Sequence, residues 1–516
     1  MVAHAAADYD AAPYLAASYP KTQPTRLAAV ATMLGLSPPP VASARVLELG
    51  CATGANIIPL AARFPDMQCT GIDVSGVQIE RGLDRIQRLG LTNVELRQQS
   101  ITEIDGGAGP FDYIICHGVY SWVPEPVREA TLRVVTDCLS DDGVAEISYN
   151  VSPGWYTKRI VRDILQAYAA DAGDAVETAA RVRELMALLR KGAPNTAYGA
   201  VLRSEADLVD IAPDDYIVHD LLERENSPFS IVEFAGAARR HGLGYLADSD
   251  VHLMFPDGHG EHIADALRQF ADGGVVSMEH NIDVITGRSL RHSLVVKQAQ
   301  AEHVRYALGP RCMAGLHVSG RLDLDRQPGA RAAFVFHGAG QRSLSTNSRP
   351  LAAALSALSA RYPATATPNE LMTAGATEQA IDETVLLDAL FRLLVLGMID
   401  IHSEPIRLGT ASAQWPVASA LARLDAQLGA ANTTNLRHEW VALTPLDRLV
   451  LPWLDGSHDR RDLSDSVLQL IQDGTLELTQ DGATVTDDEG GRRGALAAVE
   501  TVLAALASRA LLEPVG

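Results

Sequence analysis

The sequence has no excess of positive charge, no long apolar run and no paired cysteines. Of its 516 residues, 43 are lysine or arginine and 64 are aspartate or glutamate, a formal net charge of −21. So acidic a chain has no general affinity for nucleic-acid phosphates or anionic membranes, and it suits a basic or lysine-bearing partner. No stretch of about 18 uninterrupted apolar residues occurs, which argues against a spanning helix. The best candidate, 386–401, is broken by Asp388, Arg392 and Asp400. The opening MVAHAAADYD has neither a basic start nor an apolar core, so a secretory signal is not expected. The cysteines, at 51, 69, 116, 138 and 312, form no CxxC pair and no metal spacing. They predict reduced, mostly buried thiols in a cytoplasmic protein without a structural metal. His219, Asp220, Glu223 and Glu225 likewise lack ligand spacing and read as a helix surface or a cap. Two phosphate-binding patterns are missing as well. There is no GxxxxGK[ST] loop, and GxGxxG from Gly50 would need glycine where Ala52 and Ala55 stand.

What is present begins at Val46. The apolar run Val46-Leu47-Glu48-Leu49 leads into Gly50, Cys51 and Gly54, then into a helical pattern through Ile57, Ile58 and Leu60. A second apolar run, Cys69–Ile72, ends on Asp73. Strand, glycine turn, helix, strand and acid make a nucleotide-binding βαβ unit. Glycines let the backbone approach a ligand, and an acid roughly 20 residues beyond the turn is placed for a ribose hydroxyl. The form Glu48-x-Gly50-x-x-x-Gly54 with Asp73 resembles the first motif of class I S-adenosylmethionine methyltransferases.

Further strands are expected at Val94–Arg97, Phe111–Cys116 and Gly143–Tyr149, with helices at 77–88 and 125–139 between them. Strands alternating with helices predict an α/β fold with a Rossmann-like, parallel, doubly wound sheet and a cleft at its C-terminal edge. Two polar aromatic stretches leave that edge, His117-Gly118-Val119-Tyr120-Ser121-Trp122 and Tyr149-Asn150-Val151-Ser152-Pro153-Gly154-Trp155. Their aromatic faces suit a cation. His117, Tyr120 and Tyr149 are the candidates for proton transfer. Tyr14, Tyr19, Trp122, Asn150 and Trp155 are the candidates for an acceptor channel, the first two on a tyrosine- and proline-rich N-terminal lid.

The runs YDAAPYLAASYPKTQP at 9–24, LELGCATGANIIPLA at 47–61, GIDVSGVQI at 71–79, FDYIICHGVYSWVP at 111–124 and ISYNVSPGW at 147–155 together resemble one family. So does YIVHDLLERENSPFSIVEFAGAARRHGLGYLAD at 216–248. The chain is similar to bacterial class I methyltransferases bearing a methyltransferase regulatory domain, such as the rickettsial protein-lysine methyltransferases that act on outer-membrane proteins. The resemblance implies S-adenosylmethionine as donor and S-adenosylhomocysteine as product. It implies Glu48, Gly50, Cys51 and Gly54 around the amino-acid and ribose end, Asp73 on the ribose, and Val74, Ser100 and Ile101 around the adenine. Asn56, Gln78, His117 and Gly118 complete the implied cofactor set. Relatives often carry an acid where Ser100 stands, and Tyr-Pro-Gly-Trp where this chain has Ser152-Pro153-Gly154-Trp155.

Beyond residue 155 the pattern is helical to about 241, an insertion suited to regulation or dimerisation. Strands at 243–246 and 291–297 are expected to complete the sheet. After residue 300 two strand–helix–helix–strand units, 332–402 and 447–514, resemble winged helices, and their acidic stretches oppose DNA binding. The division read from this is a cofactor domain over 1–154, a helical insertion over 155–241, completion of the sheet over 242–300, and a tandem winged-helix-like region over 301–516. The expected activity is methyl transfer to protein lysine. A small-molecule methyltransferase and a non-catalytic cofactor-binding regulator remain open alternatives.

Overall fold

The computed structural model describes residues 17–169, 175–326, 334–376, 380–477, 479–480, 483–484 and 488–514. Its centre is a seven-stranded sheet. The strands are β1 (Arg45–Leu49), β2 (Gln68–Asp73), β3 (Val94–Gln98), β4 (Phe111–Cys116), β5 (Leu139–Asn150), β6 (Leu243–Asp248) and β7 (Leu290–Lys297). Their order is β3-β2-β1-β4-β5-β7-β6.

β1 to β5 run parallel, whereas β7 lies between β5 and β6 and is antiparallel to both. The sheet is therefore mixed where a parallel one was expected. Buried apolar runs mark strands without encoding direction, so the sequence could not reveal the reversal.

Alternation along the strands sorts side chains onto two faces. Val46, Tyr113, Ile115, Val144 and Leu294 enter a core shared with the helices Pro24–Met33 and Ile57–Arg63. Leu47, Leu49, Ile114, Ile147 and Tyr149 enter a second core against the helices Glu125–Cys138 and Ile231–Arg240. On β5 this places Glu146, Ser148 and Asn150 on the first face and Ile147 and Tyr149 on the second.

Between β5 and β6 the helices Trp155–Ala169, Ala175–Gly192 and Ala197–Ile211 close on a core of their own around Val161, Leu165, Val182, Met186 and Leu202. In the C-terminal third, His317–Ser319 pairs with Asp400–His402 across three helices, and Val417–Ala418 pairs with Leu512–Glu513. The strand expected from residue 332 does not pair with the one at 400. Phe334–His337 instead sits in a separate three-stranded sheet, between Asp323–Arg326 and Ser343–Thr346. Leu316, Val318, Leu355 and Leu390 extend the core of the first sheet face, so this region packs directly behind the N-terminal helix. Among the described residues, no helix is long and apolar enough to cross a membrane.

Candidate active site

The turn after β1 is built from backbone that only small residues tolerate. Gly50 and Gly54 have φ of 75° and 73°, and Ala52 joins them at 50°. The Gly50 and Cys51 amides both donate to the Ile72 carbonyl, at 2.9 Å. A Cβ on Gly50 would lie 2.5 Å from Val119, so the turn abuts the loop that leaves β4. Asp73 braces the same turn, its Oδ2 accepting the Ala52 amide at 2.8 Å and its Oδ1 the Ser75 amide at 2.9 Å.

Glu48 is buried on the first sheet face. Its Oε1 accepts from Asn56 Nδ2 at 2.8 Å, while Oε2 has no partner. Burial pushes this carboxyl up to about 8, against the Asn56 hydrogen bond and helped by Glu146 and Asp73. A buried carboxylate with one unmatched oxygen is the feature expected of a receptor for a cationic group. The Gly118 amide is pinned by Ser148 Oγ at 2.8 Å, and the space where its Cβ would stand is open.

Other implied cofactor residues have different surroundings. The Cys51 side chain is buried, and a Cβ on Gly71 would come within 2.8 Å of its sulfur. Burial raises the thiol, so only its main chain could meet a ligand. Ser100 spends its hydroxyl in a capping box with Thr102 and Glu103, and Ile101 is part of the second core. Gln78 is buried with Oε1 unpaired, near the Ser75 cap of its helix. The Val74 carbonyl accepts from Gln98.

The proton-transfer candidates fall on opposite faces. Tyr120 and Tyr149 belong to the second core, where Tyr149 stacks on Phe234 at 4.3 Å and Tyr120 meets Phe229 edge-on at 5.4 Å. The Tyr149 hydroxyl bonds Ser293 Oγ at 3.0 Å. Burial raises both phenols, Tyr120 to about 12, so neither is a base near neutral pH. Their aromatic character marked strand ends correctly but could not say which face they occupy.

His117 lies on the first face, under the ring of Tyr19 at 3.8 Å between centroids. Its Nδ1 has no hydrogen-bond partner and stands 4.0 Å from Glu146 Oε1. His292, from β7, places its own Nδ1 3.0 Å from the same oxygen. Burial holds His117 down at about 3, with Lys21 adding to the effect, and it lowers His292 and raises Glu146. Glu146 and His292 were not singled out from sequence. The signal was there, a single carboxylate inside the apolar strand GVAEISY and a histidine beside an arginine at the start of RHSLVV. The three ligand atoms lie within 4.8 Å of one another. Tetrahedral zinc, with bonds near 2.1 Å, needs ligand atoms about 3.4 Å apart, so the cluster is too wide for it, and only the His292–Glu146 pair, at 3.0 Å, is close enough to share a proton.

Of the channel candidates, Tyr14 lies outside the described residues. Trp122 and Trp155 meet edge to face at 5.8 Å. Each ring already carries an internal cation, Arg162 over Trp122 at 5.4 Å and Lys158 over Trp155 at 5.0 Å. Asn150 is buried on the first face with its Nδ2 unpartnered. Tyr19 belongs to a clamped N-terminal segment, in which Lys21 and Arg26 both pair with Asp250.

Three family models match this chain: a methyltransferase domain over residues 46–143, a methyltransferase regulatory domain over 213–297, and the C-terminal winged helix domain of PKMT over 415–511. An uncharacterized protein of Rickettsia prowazekii is 30% identical over 495 residues, 90% of this chain and 86% of that protein. The chain belongs to this methyltransferase family. The structure of PKMT2 from Rickettsia typhi in complex with AdoHcy superposes with a TM-score of 0.86 at 25% identity, covering 97% of this chain and all of that one. A second rickettsial protein, also uncharacterized, is 33% identical over 234 residues, 45% of this chain and 94% of its own length. The methyltransferase uses S-adenosylmethionine, and the glycine turn with its unmatched Glu48 oxygen fits that cofactor.

Proposed function

We propose that this methyltransferase transfers its methyl group to the side-chain nitrogen of lysine in a protein acceptor. The observation that carries the proposal is the His117–Glu146–His292 cluster, in which half-buried His117 follows the C-terminal end of β4 beside Gly118 and the other two are buried behind it. The relationship to PKMT2 and to the PKMT winged helix favours the same substrate class.

Glu48 would receive the α-amino group of the cofactor on its unpaired oxygen, Asp73 the ribose hydroxyls, and the Gly50–Gly54 turn the chain between them. The cofactor supplies an electrophilic methyl on a sulfonium. Displacement is in line, so the protein's task is to align the acceptor nitrogen and exclude water. A lysine arrives as an ammonium and has no lone pair until one proton leaves. His117 Nδ1 is enclosed and faces Glu146, so the proton would be taken at Nε2; burial holds the ring at about 3, and it acts as a base only where the Glu146 carboxylate offsets that cost. The Glu146 carboxyl group, 4.0 Å away, then stabilises the imidazolium, and His292 keeps that carboxyl oriented. The nitrogen–carbon bond forms as the sulfur–carbon bond breaks, leaving methyl-lysine and S-adenosylhomocysteine.

The test is incubation with methyl-labelled S-adenosylmethionine and lysine-rich fragments of outer-membrane proteins. Label recovered in methyl-lysine after acid hydrolysis supports the reading. Label found only on a small metabolite would replace it with a small-molecule acceptor.

A further inference from the structure

The hairpin Asn432–Thr434/Trp440–Ala442 belongs to the winged-helix segment, and its tip crosses the molecule to reach the cofactor turn. We propose that this tip is a latch on the cofactor site, in which His438 is a positioning residue that fixes Asn56 and, through it, Glu48. The inference rests on the assignment of Glu48 to the cofactor's amino group.

Asn56 heads the helix Ile57–Arg63 and is 382 positions away from His438 in the chain. His438 Nε2 lies 2.8 Å from Asn56 Oδ1. That oxygen also accepts the Tyr19 amide at 3.0 Å, and the Thr22 hydroxyl, whose single proton has the Tyr19 carbonyl at 2.9 Å as its shorter acceptor, lies 3.2 Å away. The Tyr19 amide can only donate, so it fixes the Asn56 amide in one orientation, and Nδ2 must point to Glu48 Oε1, where it stands at 2.8 Å. The other Glu48 oxygen is thereby left for the ligand. Nε2 must carry the hydrogen, and burial with the nearby Arg63 keeps the ring neutral, down at about 3.

The tip is held for this contact and not by it alone. His438 is a non-glycine residue with φ of 65°, a conformation that costs free energy and persists where surroundings enforce it. Its amide donates to the Asn435 carbonyl at 2.9 Å. Arg437 beside it is buried, donating to Ser319 Oγ at 3.0 Å and to the Pro363 carbonyl at 2.9 Å. Its own carbonyl accepts from Gln23 Nε2 at 2.9 Å, and Thr434 Oγ meets Ser18 Oγ at 3.0 Å. The tip thus touches the cofactor turn, the segment carrying Tyr19 and the region around residues 319–363. Coupling between two sites is reciprocal, so a latch that sets cofactor affinity must itself be tightened by cofactor.

Calorimetry of S-adenosylmethionine binding to the full chain tests this. His438→Leu is expected to weaken binding about tenfold, and His438→Gln, which restores an amide donor, to recover most of the loss. Glu48 is faced by Asn56, by Glu146 from β5 and by Asp73 from β2. Wild-type affinity should rise as pH passes through about 8, where Glu48 ionises. Loss of the Asn56 hydrogen bond should move that midpoint upward in His438→Leu. Amides of 435–439 should exchange more slowly with cofactor bound in the wild type, and not in the leucine variant. Unchanged affinity and midpoint in His438→Leu would overturn the latch, as would a failure of glutamine to rescue. If His438→Leu does not fold, Asn56→Ser breaks the same link from the other side, and wild-type affinity there would overturn it equally. Glu48→Gln separates the two layers. Unaltered binding in that variant removes the Glu48 assignment, whatever His438 does.

Discussion

Glu146 and His292 share a 3.0 Å contact between neighbouring antiparallel strands, and both side chains are almost fully enclosed. Neither strand needs a polar pair there to fold. A buried ionisable pair in an apolar sheet is expensive unless each group finds a partner; these two partner each other beside His117, a clustering of perturbed groups that marks a candidate site. Replacing Glu146 by Gln removes the charge that would stabilise a protonated His117 and keeps the shape. The expected result is a fall in kcat of about 100-fold, within the usual range for proton-transfer groups, with cofactor affinity nearly unchanged. Single-turnover kinetics alongside calorimetry reads both quantities. His117→Gln should behave alike, and the double variant should lose little more than either single one.

Asp73 contributes two backbone contacts and, in this account, the ribose hydroxyls. Asp73→Ala should weaken S-adenosylmethionine binding by tenfold or more, the equivalent of at least one charge-assisted hydrogen bond. Calorimetry at constant pH measures it. Affinity equal to wild type would remove Asp73 from the cofactor site.

Much of this arrangement was legible in the residues. The apolar strands of β1 to β5, the glycine turn and Asp73 announce themselves through local patterning, and His117 follows a strand end directly. What stayed hidden depends on pairing at a distance. The reversal of β7 is of this kind, as are the partnership of Glu146 with His292, 146 residues apart, and the reach of His438 to Asn56, 382 residues apart. No window of sequence carries such information. Tyr120 and Tyr149 show a second limit. Alternation tells that two neighbours occupy opposite faces, but only the packed helices determine which face is the core and which the cleft.

Arg291 is fully buried between Glu279 at 2.7 Å and Asp283 at 2.7 Å, with Asp248 at 3.5 Å. Removing the cation leaves Glu279 uncompensated in an interior that cannot solvate it, and leaves Arg288 alone to offset Asp248 at 2.6 Å and Asp283 at 3.7 Å. Arg291→Leu should cost about 3–5 kcal/mol of stability in urea unfolding. A loss below about 1 kcal/mol would mean that the carboxylates take up protons at little cost.

Asp250 anchors the segment carrying Tyr19. Burial alone would raise its carboxyl, but Arg26 and Lys21 more than offset that and hold it at about 2. An unfolded aspartate titrates near 3.9. The folded value is depressed, so the stabilisation is complete above about pH 4 and is lost as pH falls toward 2. Asp250→Asn should therefore lower the urea midpoint relative to wild type at pH 6, and the difference should shrink to nearly nothing by pH 2. A difference independent of pH would exclude the ionic origin.

The central claim is that a lysine nitrogen accepts the methyl group. It is tested most directly by offering the enzyme, with labelled S-adenosylmethionine, one outer-membrane protein fragment in two forms, native and with its lysines acetylated. The account predicts label in the native fragment, mapped by mass spectrometry to lysine, and none in the acetylated one. Equal labelling of both forms would contradict it.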